Sequence, residues 1–246
     1  MGASSAKAFI DQTGASLEEL QTSSLAKFDP LTQQISFLPI TIQSPYYQEL
    51  MSSEPFITFL SSSEIQAIIL QYTNHETGFC TKLNWLLASG VKRLLEYSSD
   101  IKKLDFAITS LARTYPRKVK KTYRGLWLNE IEFEAYPLDK FIYIPSFMST
   151  SRNPKKFYKN QRINCLIIIK IECKARRAFE VGAGFSKYYK EEEETLFSCY
   201  NKFKVERKLK EFEFQGEKFE YGLILEVVNE DFTNKNAKFM AILNCL

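Results

Sequence analysis

The run Cys165-Leu-Ile-Ile-Ile169 is apolar on both of its faces, the pattern of a strand covered from both sides at the centre of a sheet. Around it the second half of the chain breaks into further short β-type runs: Thr122–Leu128, Phe141–Ile144, Phe147–Thr150, Cys165–Cys173, Ala178–Val181, Glu192–Phe197, Lys202–Lys210 and Phe219–Val228. Gln215-Gly216 stands between two alternating segments and predicts a hairpin turn. No long helical pattern separates these runs, which argues against βαβ crossovers and a parallel Rossmann sheet. The first half has a different period. Ser61 and Glu64 have capping-box spacing, and Ile65, Ile68, Ile69 and Tyr72 then form one apolar stripe. A second helix runs through Thr81–Ala88 and stops at Gly90. Asp100 is placed to cap a third, in which Ile101, Leu104, Ile108 and Leu111 recur at helical spacing, with Arg113 in the last turn and Pro116 beyond it. Helices first and strands afterwards mean an α+β fold. The expected organisation is an arm and irregular segment over 1–60, then one domain over 61–246, helical in 61–117 and β in 118–246.

The 246 residues are 45% hydrophobic and 25% charged, a balance that excludes a disordered tail, a collagen-like chain and a coiled coil. No run of eighteen apolar residues occurs. The net charge of +4 is too mild to argue for nucleic acid, but it is unevenly spread. Residues 1–115 hold 8 Lys/Arg and 11 Asp/Glu, a net of −3, whereas residues 116–246 hold 25 and 18, a net of +7. An anion-binding site is therefore expected in the second half. The basic cluster Arg117-Lys-Val-Lys-Lys121 reads as a solvated loop. Five scattered cysteines without a CxxC pair, and one histidine (His75), argue for free thiols and against a metal site. The start, Met-Gly-Ala-Ser-Ser-Ala-Lys, has no apolar stretch behind it, which gives the expectation of a cytoplasmic or otherwise intracellular protein.

Three stretches carry candidate chemistry. In Thr122-Tyr-Arg-Gly-Leu-Trp127 an arginine sits in mid-strand among aromatics. Its guanidinium either pairs with a carboxylate of the sheet or takes an anion bidentately. In Phe147-Met-Ser-Thr-Ser151 the hydroxyls of Ser149 and Ser151 share one face of a strand. In Glu191-Glu-Glu-Glu-Thr-Leu-Phe197 an acidic run enters a strand directly, so that Glu192 and Glu194 point to the same face about 6–7 Å apart. Two carboxylates that close repel, which raises the proton affinity of at least one and suits acid–base work. Each stretch alone has an ordinary structural explanation.

Taken in order, Tyr-Arg-Gly, Phe-x-Ser-Thr-Ser and Glu-x-Glu-x-Leu-Phe resemble the Arg–Ser–Glu-x-Glu class of mono-ADP-ribosyltransferases, the arginine-directed enzymes of cell surfaces and bacterial toxins. Ile69-Leu-Gln-Tyr-Thr73 with Leu83-Asn84 resembles the family's helical motifs, Phe185-Ser-Lys-Tyr-Tyr189 its substrate-recognition turn, and Phe203-Lys-Val205 the strand that follows, so the likeness spans about 62–228. The four consecutive glutamates leave a second register open, Glu191 with Glu193. Pro145-Ser146 stands where many members have glycine, and a protein without the leader and anchor of the cell-surface members is expected.

The resemblance implies two roughly perpendicular antiparallel sheets around an NAD cleft, with helices at one side. It implies transfer of ADP-ribose from NAD to arginine of an acceptor protein with loss of nicotinamide, and no metal. The alternatives are an NAD glycohydrolase and a catalytically inactive interaction module of the same fold. Arg124 would hold the pyrophosphate, Gly125 would let the nicotinamide amide approach the backbone, and Ser149 would bond the catalytic carboxylate. Glu194 would stabilise the oxocarbenium ion, and Glu192 would take the acceptor's proton. Tyr72 and Ser186 would line the cofactor cleft, with Phe157 or Tyr158 as an aromatic over nicotinamide; a place in the core is the alternative for Tyr72 and the favoured reading for Phe157 and Tyr158. Ser186, Tyr188 and Tyr189 would face the acceptor, and Asn84 is read as structural.

Overall fold

The computed structural model describes residues 26–29, 34–37, 39, 45–53, 57–89, 92–115, 120–156, 163–171, 177–188 and 193–228. Its helices are α1 (Pro45–Ser52), α2 (Ser62–Thr73), α3 (Phe79–Ser89), α4 (Ser98–Thr114) and the short α5 (Glu130–Glu134). A hairpin of β1 (Ala26–Asp29) and β2 (Gln34–Phe37) precedes them. The main sheet is built from β3 (Lys121–Leu126), β4 (Phe141–Ile144), β5 (Met148–Ser151), β6 (Cys165–Lys170), β7 (Ala178–Glu180), β8 (Glu194–Phe197), β9 (Asn201–Phe214) and β10 (Glu217–Val227). From α1 onward the helices come first and the main-sheet strands after them, as expected, with the short α5 between β3 and β4; the β1–β2 hairpin and α1 lie in 1–60, where the sequence predicts an arm and irregular segment. No helix among the described residues is long and apolar enough to cross a membrane.

Helix α2 starts where the capping box predicts. The Ser61 hydroxyl accepts the Glu64 N–H at 3.3 Å, and the Glu64 carboxylate accepts the Ser61 N–H at 2.8 Å. Ile68, Ile69 and Tyr72 face inward from it. Helix α4 starts earlier than expected. A 3-10 turn over Lys92–Tyr97 runs straight into it, so Tyr97 occupies the cap without a side-chain bond and Asp100 lies inside the first turn. There Asp100 still complements the positive end of the helix dipole.

The β core differs from the expected pair of antiparallel sheets. Its strands form one ladder in the order β4-β9-β10-β6-β3-β5-β8-β7. Within it β6 and β10 run parallel, from Tyr221↔Cys165 to Glu226↔Lys170. Among the described residues the chain makes this crossover through strands β7, β8 and β9 and not through a helix. The ladder is narrow at one point: β3 pairs with β6 over six residues but with β5 at Tyr123↔Ser151 alone. Strand β6 is central as its composition requires, with Cys165, Leu166, Ile167 and Ile169 buried. The β9–β10 hairpin turns at Gln215 (φ 55°) and Gly216 (φ 86°), the double left-handed conformation of a type I′ turn.

Two apolar cores lie against the sheet. One packs α1–α4 on Phe147, Phe179 and Leu196; the other joins Leu126, Ile144, Met148, Ile167, Phe197, Phe203 and Leu223. A buried ion pair fastens the helical layer to the strands. Arg177 donates to the Asp105 carboxylate of α4 at 2.9 Å and to the Cys199 carbonyl at 2.7 Å, and Ser198 donates to the same Asp105 oxygen at 2.7 Å. Burial lowers the proton affinity of Arg177, but Asp105 and then Tyr47 raise it by more, so the guanidinium stays charged.

Candidate active site

Strands β5 and β8 set the centre. Their register pairs Ser149 with Leu196 and Ser151 with Glu194. Opposite residues of an antiparallel pair share a face, so Ser149, Ser151 and Glu194 look toward the helices from one surface. Glu194 is 3% exposed at the head of β8. Ser151 stands directly across from it, while Ser149 is its diagonal neighbour, about 7–8 Å away at Cα.

Arg124 comes from β3. The β3–β5 pair Tyr123↔Ser151 puts Tyr123 on the face of Ser151, so strand alternation starts Arg124 toward the other face. Its guanidinium nonetheless ends on β5, donating from Nη1 to the Ser149 carbonyl at 2.8 Å. It borders a small pocket lined by Leu126, Tyr136, Ile144, Ser146, Met148 and Ile167. Burial lowers its proton affinity, while Tyr72, Tyr136 and Glu194 push it back up. Arg124 and Glu194 therefore lie within electrostatic reach of one another.

Tyr72 of α2 closes the group. Its hydroxyl donates to the Phe147 carbonyl at 3.3 Å and accepts from Asn84 Nδ2 of α3 at 2.9 Å, and its ring meets Phe147 edge-on at 5.6 Å. Burial first, and then Cys80 and Glu194, hold the phenol well above its ordinary pKa. Tyr72 is thus a protonated donor across the neutral range.

The acidic run is sorted at its last two members. Glu193 adopts φ 48°, and its carboxylate accepts from Asn153 Nδ2 at 3.2 Å. Its neighbour Glu194 enters the strand and the interior. Glu192, Phe157, Tyr158 and Tyr189 lie outside the described residues.

Gly125 has a structural reason to be glycine: a Cβ there would stand 2.4 Å from Ile163 Cδ1. Ser186 is buried, and its hydroxyl accepts the Tyr188 N–H at 3.0 Å within its own turn. That turn is docked on α2, since Gln66 Nε2 donates to the Gly184 carbonyl at 2.7 Å and Thr73 Oγ1 to the Phe185 carbonyl at 3.1 Å. Tyr188 reaches Glu76 at 3.4 Å. Tyr72, Arg124, Ser149 and Glu194 are brought together, whereas Ser186 serves its loop. Sequence reasoning missed Ser151 as the residue facing Glu194, Tyr136 beside Arg124 and the Tyr72–Asn84 bond. A strand's period shows that Ser149 and Ser151 share a face, but no local signal gives cross-strand register. Among the described residues no group of three or more His, Cys, Asp or Glu is placed to hold a metal ion.

No family model matches this sequence, and no curated protein does. Solved structures do match. HopU1, an ADP-ribosyltransferase of Pseudomonas syringae pv. Tomato DC3000, aligns with a TM-score of 0.54 at 16% identity over 87% of this chain and 98% of its own. Plx2a, an ADP-ribosyltransferase toxin from Paenibacillus larvae, aligns at 0.52 and 19% identity over 75% and 92%. The chain has the fold of the ADP-ribosyltransferases. The ADP-ribosyltransferase Vis, in complex with agmatine, aligns at 0.50 and 16% identity over 76% and 83%.

Proposed function

We propose that this chain is a mono-ADP-ribosyltransferase that moves ADP-ribose from NAD to arginine side chains of an acceptor protein and releases nicotinamide. The observation that carries the reading is one carboxylate, Glu194, buried across from Ser151 and in electrostatic reach of Arg124, whose guanidinium is braced on the Ser149 carbonyl. A buried acid beside a fixed cation at the join of three strands does little for stability that apolar residues would not do better. It is the arrangement expected of a site that meets developing charge.

Arg124 uses one N–H on Ser149 and offers the rest of its fork to the NAD pyrophosphate, where charge and direction act together. Ser149 and Ser151 keep hydroxyls on the face of Glu194. As the glycosidic bond breaks, its electron pair leaves with neutral nicotinamide, and the ribose becomes an oxocarbenium ion. Glu194 stabilises that positive charge and holds the neighbouring ribose hydroxyl. Strand β8 begins only at Glu194, after Glu193 at φ 48°, so Glu192 is assigned by the resemblance and not by strand spacing; it takes the proton that the acceptor guanidinium loses as its nitrogen bonds the anomeric carbon. A guanidinium is protonated at neutral pH and a poor nucleophile, so a local base is required. Tyr72 lines the cleft, and the backbone at Gly125 meets the carboxamide. Vis, of the same fold, is in complex with agmatine, a guanidine, and this supports arginine as the acceptor type. NAD is a substrate here and no metal is invoked. The setting proposed is intracellular.

Incubation of the protein with labelled NAD and a mixed lysate tests the reading. Label in protein, released by hydroxylamine at the rate of an arginine linkage, is the expected result. Nicotinamide release without label in protein would make the chain a glycohydrolase instead, and no NAD consumption would leave only an interaction module.

A further inference from the structure

We infer that Arg152 is a positioning residue that sets the catalytic carboxylate by clamping the backbone one residue ahead of it; this rests on the proposed role of Glu194. Three observations meet at that point. Glu193 has φ 48°, a left-handed conformation that side chains other than glycine, asparagine and aspartate seldom adopt. Arg152 holds the carbonyl of that same residue twice, from its backbone N–H at 2.9 Å and from Nε at 3.0 Å. The far end of the guanidinium reaches Glu180 of β7 at 3.4 Å, so one side chain ties the ends of β5, β7 and β8 together.

The clamp explains how, of the two described members of the acidic run, Glu194 becomes the buried acid. Unrestrained, the run would slide by one residue and present the wrong carboxylate, because a slip of one exchanges the faces of a strand. With the Glu193 carbonyl fixed, its side chain is turned out to Asn153, and Glu194 is committed to the place across from Ser151. Asn153 is itself set by its N–H on the Ser151 hydroxyl at 3.0 Å. Arg152 therefore acts through residue 193 and makes no contact with the reacting atoms in this account. A backbone held against its preference at a functional site is a recognised way of storing pre-organisation.

The role predicts a specific rescue. Glycine takes the left-handed conformation without steric cost, so Glu193→Gly should remove the need for the clamp. The experiment measures nicotinamide release with free NAD for wild type, R152A, R152K, E193G and the R152A/E193G pair, with the melting temperature of each. E194Q is run beside them as the control on the reading itself. Expected are a kcat about ten-fold lower in R152A with KM within about two-fold, and recovery in R152A/E193G to within about three-fold of wild type. R152K should fall with R152A, since lysine has no Nε–H to give. The inference is overturned if R152A keeps its kcat, if the loss appears in KM, or if R152A/E193G is no better than R152A. It is likewise overturned if kcat merely tracks the melting temperature through the series. An E194Q protein as active as wild type would sink the proposed role of Glu194 and not only the clamp.

Discussion

Arg124 and Tyr72 are the residues whose environments say most about what they do. Arg124 has its guanidinium on a backbone carbonyl of another strand and a pocket beside it, an arrangement that uses both the planarity and the charge of the side chain. A lysine would keep the charge and lose the fork. Arg124→Lys is therefore expected to raise KM for NAD about ten-fold and to lower kcat as well, in steady-state nicotinamide release. Tyr72→Phe keeps the edge-on contact with Phe147 but removes a hydroxyl that bonds both the Phe147 carbonyl and Asn84. Leaving those groups without partners should cost about 1–3 kcal/mol in urea unfolding, more than the loss of an exposed hydroxyl would. At Gly125 the close contact with Ile163 predicts that alanine first disturbs the β3–β6 packing.

At the scale of elements, the joint between α4 and the strands at β7 and β8 is the most exacting. Asp105 and Arg177 are both largely buried, with Ser198 donating to the carboxylate and the Cys199 carbonyl accepting from the guanidinium. Asp105→Ala would remove the carboxylate that balances the buried guanidinium and should cost about 3–5 kcal/mol, read from the urea midpoint. Ser61→Ala, which removes only the α2 cap, should cost about 1 kcal/mol. Elements whose signals are local were legible in the sequence: the capping box, the apolar stripe of α2, the double-sided β6 and the Gln215-Gly216 turn. Asp100 misled because the preceding 3-10 turn continues into the helix, and a cap is read correctly only when the chain outside the helix is known. Arg124, Ser149 and Glu194 were legible as residues through their motifs. Ser151 opposite Glu194 and the clamp of Arg152 were not, since both depend on how β5 meets β8.

Over the whole molecule, one ladder with a single-pair join between β3 and β5 replaces the two antiparallel sheets that the resemblance implied. The pairing of β10 with β6 is a contact between segments more than fifty residues apart, and strand patterns carry no information about such partners. The molecule also holds protons that its unfolded chain would give up. Burial raises the thiols of Cys165 and Cys199 above their ordinary 9.0 and the phenols of Tyr47, Tyr72 and Tyr136 above their ordinary 10.0. In that direction the folded state binds more protons than the unfolded one once pH passes the ordinary values. The stability they contribute is complete below those values and is lost as pH rises from them toward the raised ones. Urea midpoints should thus be level from neutrality to about pH 8.5 and fall progressively above it; a rising midpoint above pH 9 would contradict the burial of these groups.

The most direct measurement is nicotinamide release by wild type and Glu194→Gln, each with NAD binding measured by calorimetry on protein shown to be folded. The account predicts turnover by wild type, a loss of at least about a hundred-fold in the variant, and NAD affinity within a few-fold. A Glu194→Gln protein that turns over NAD within a few-fold of wild type would contradict it, as would a folded wild type that binds NAD and never breaks it.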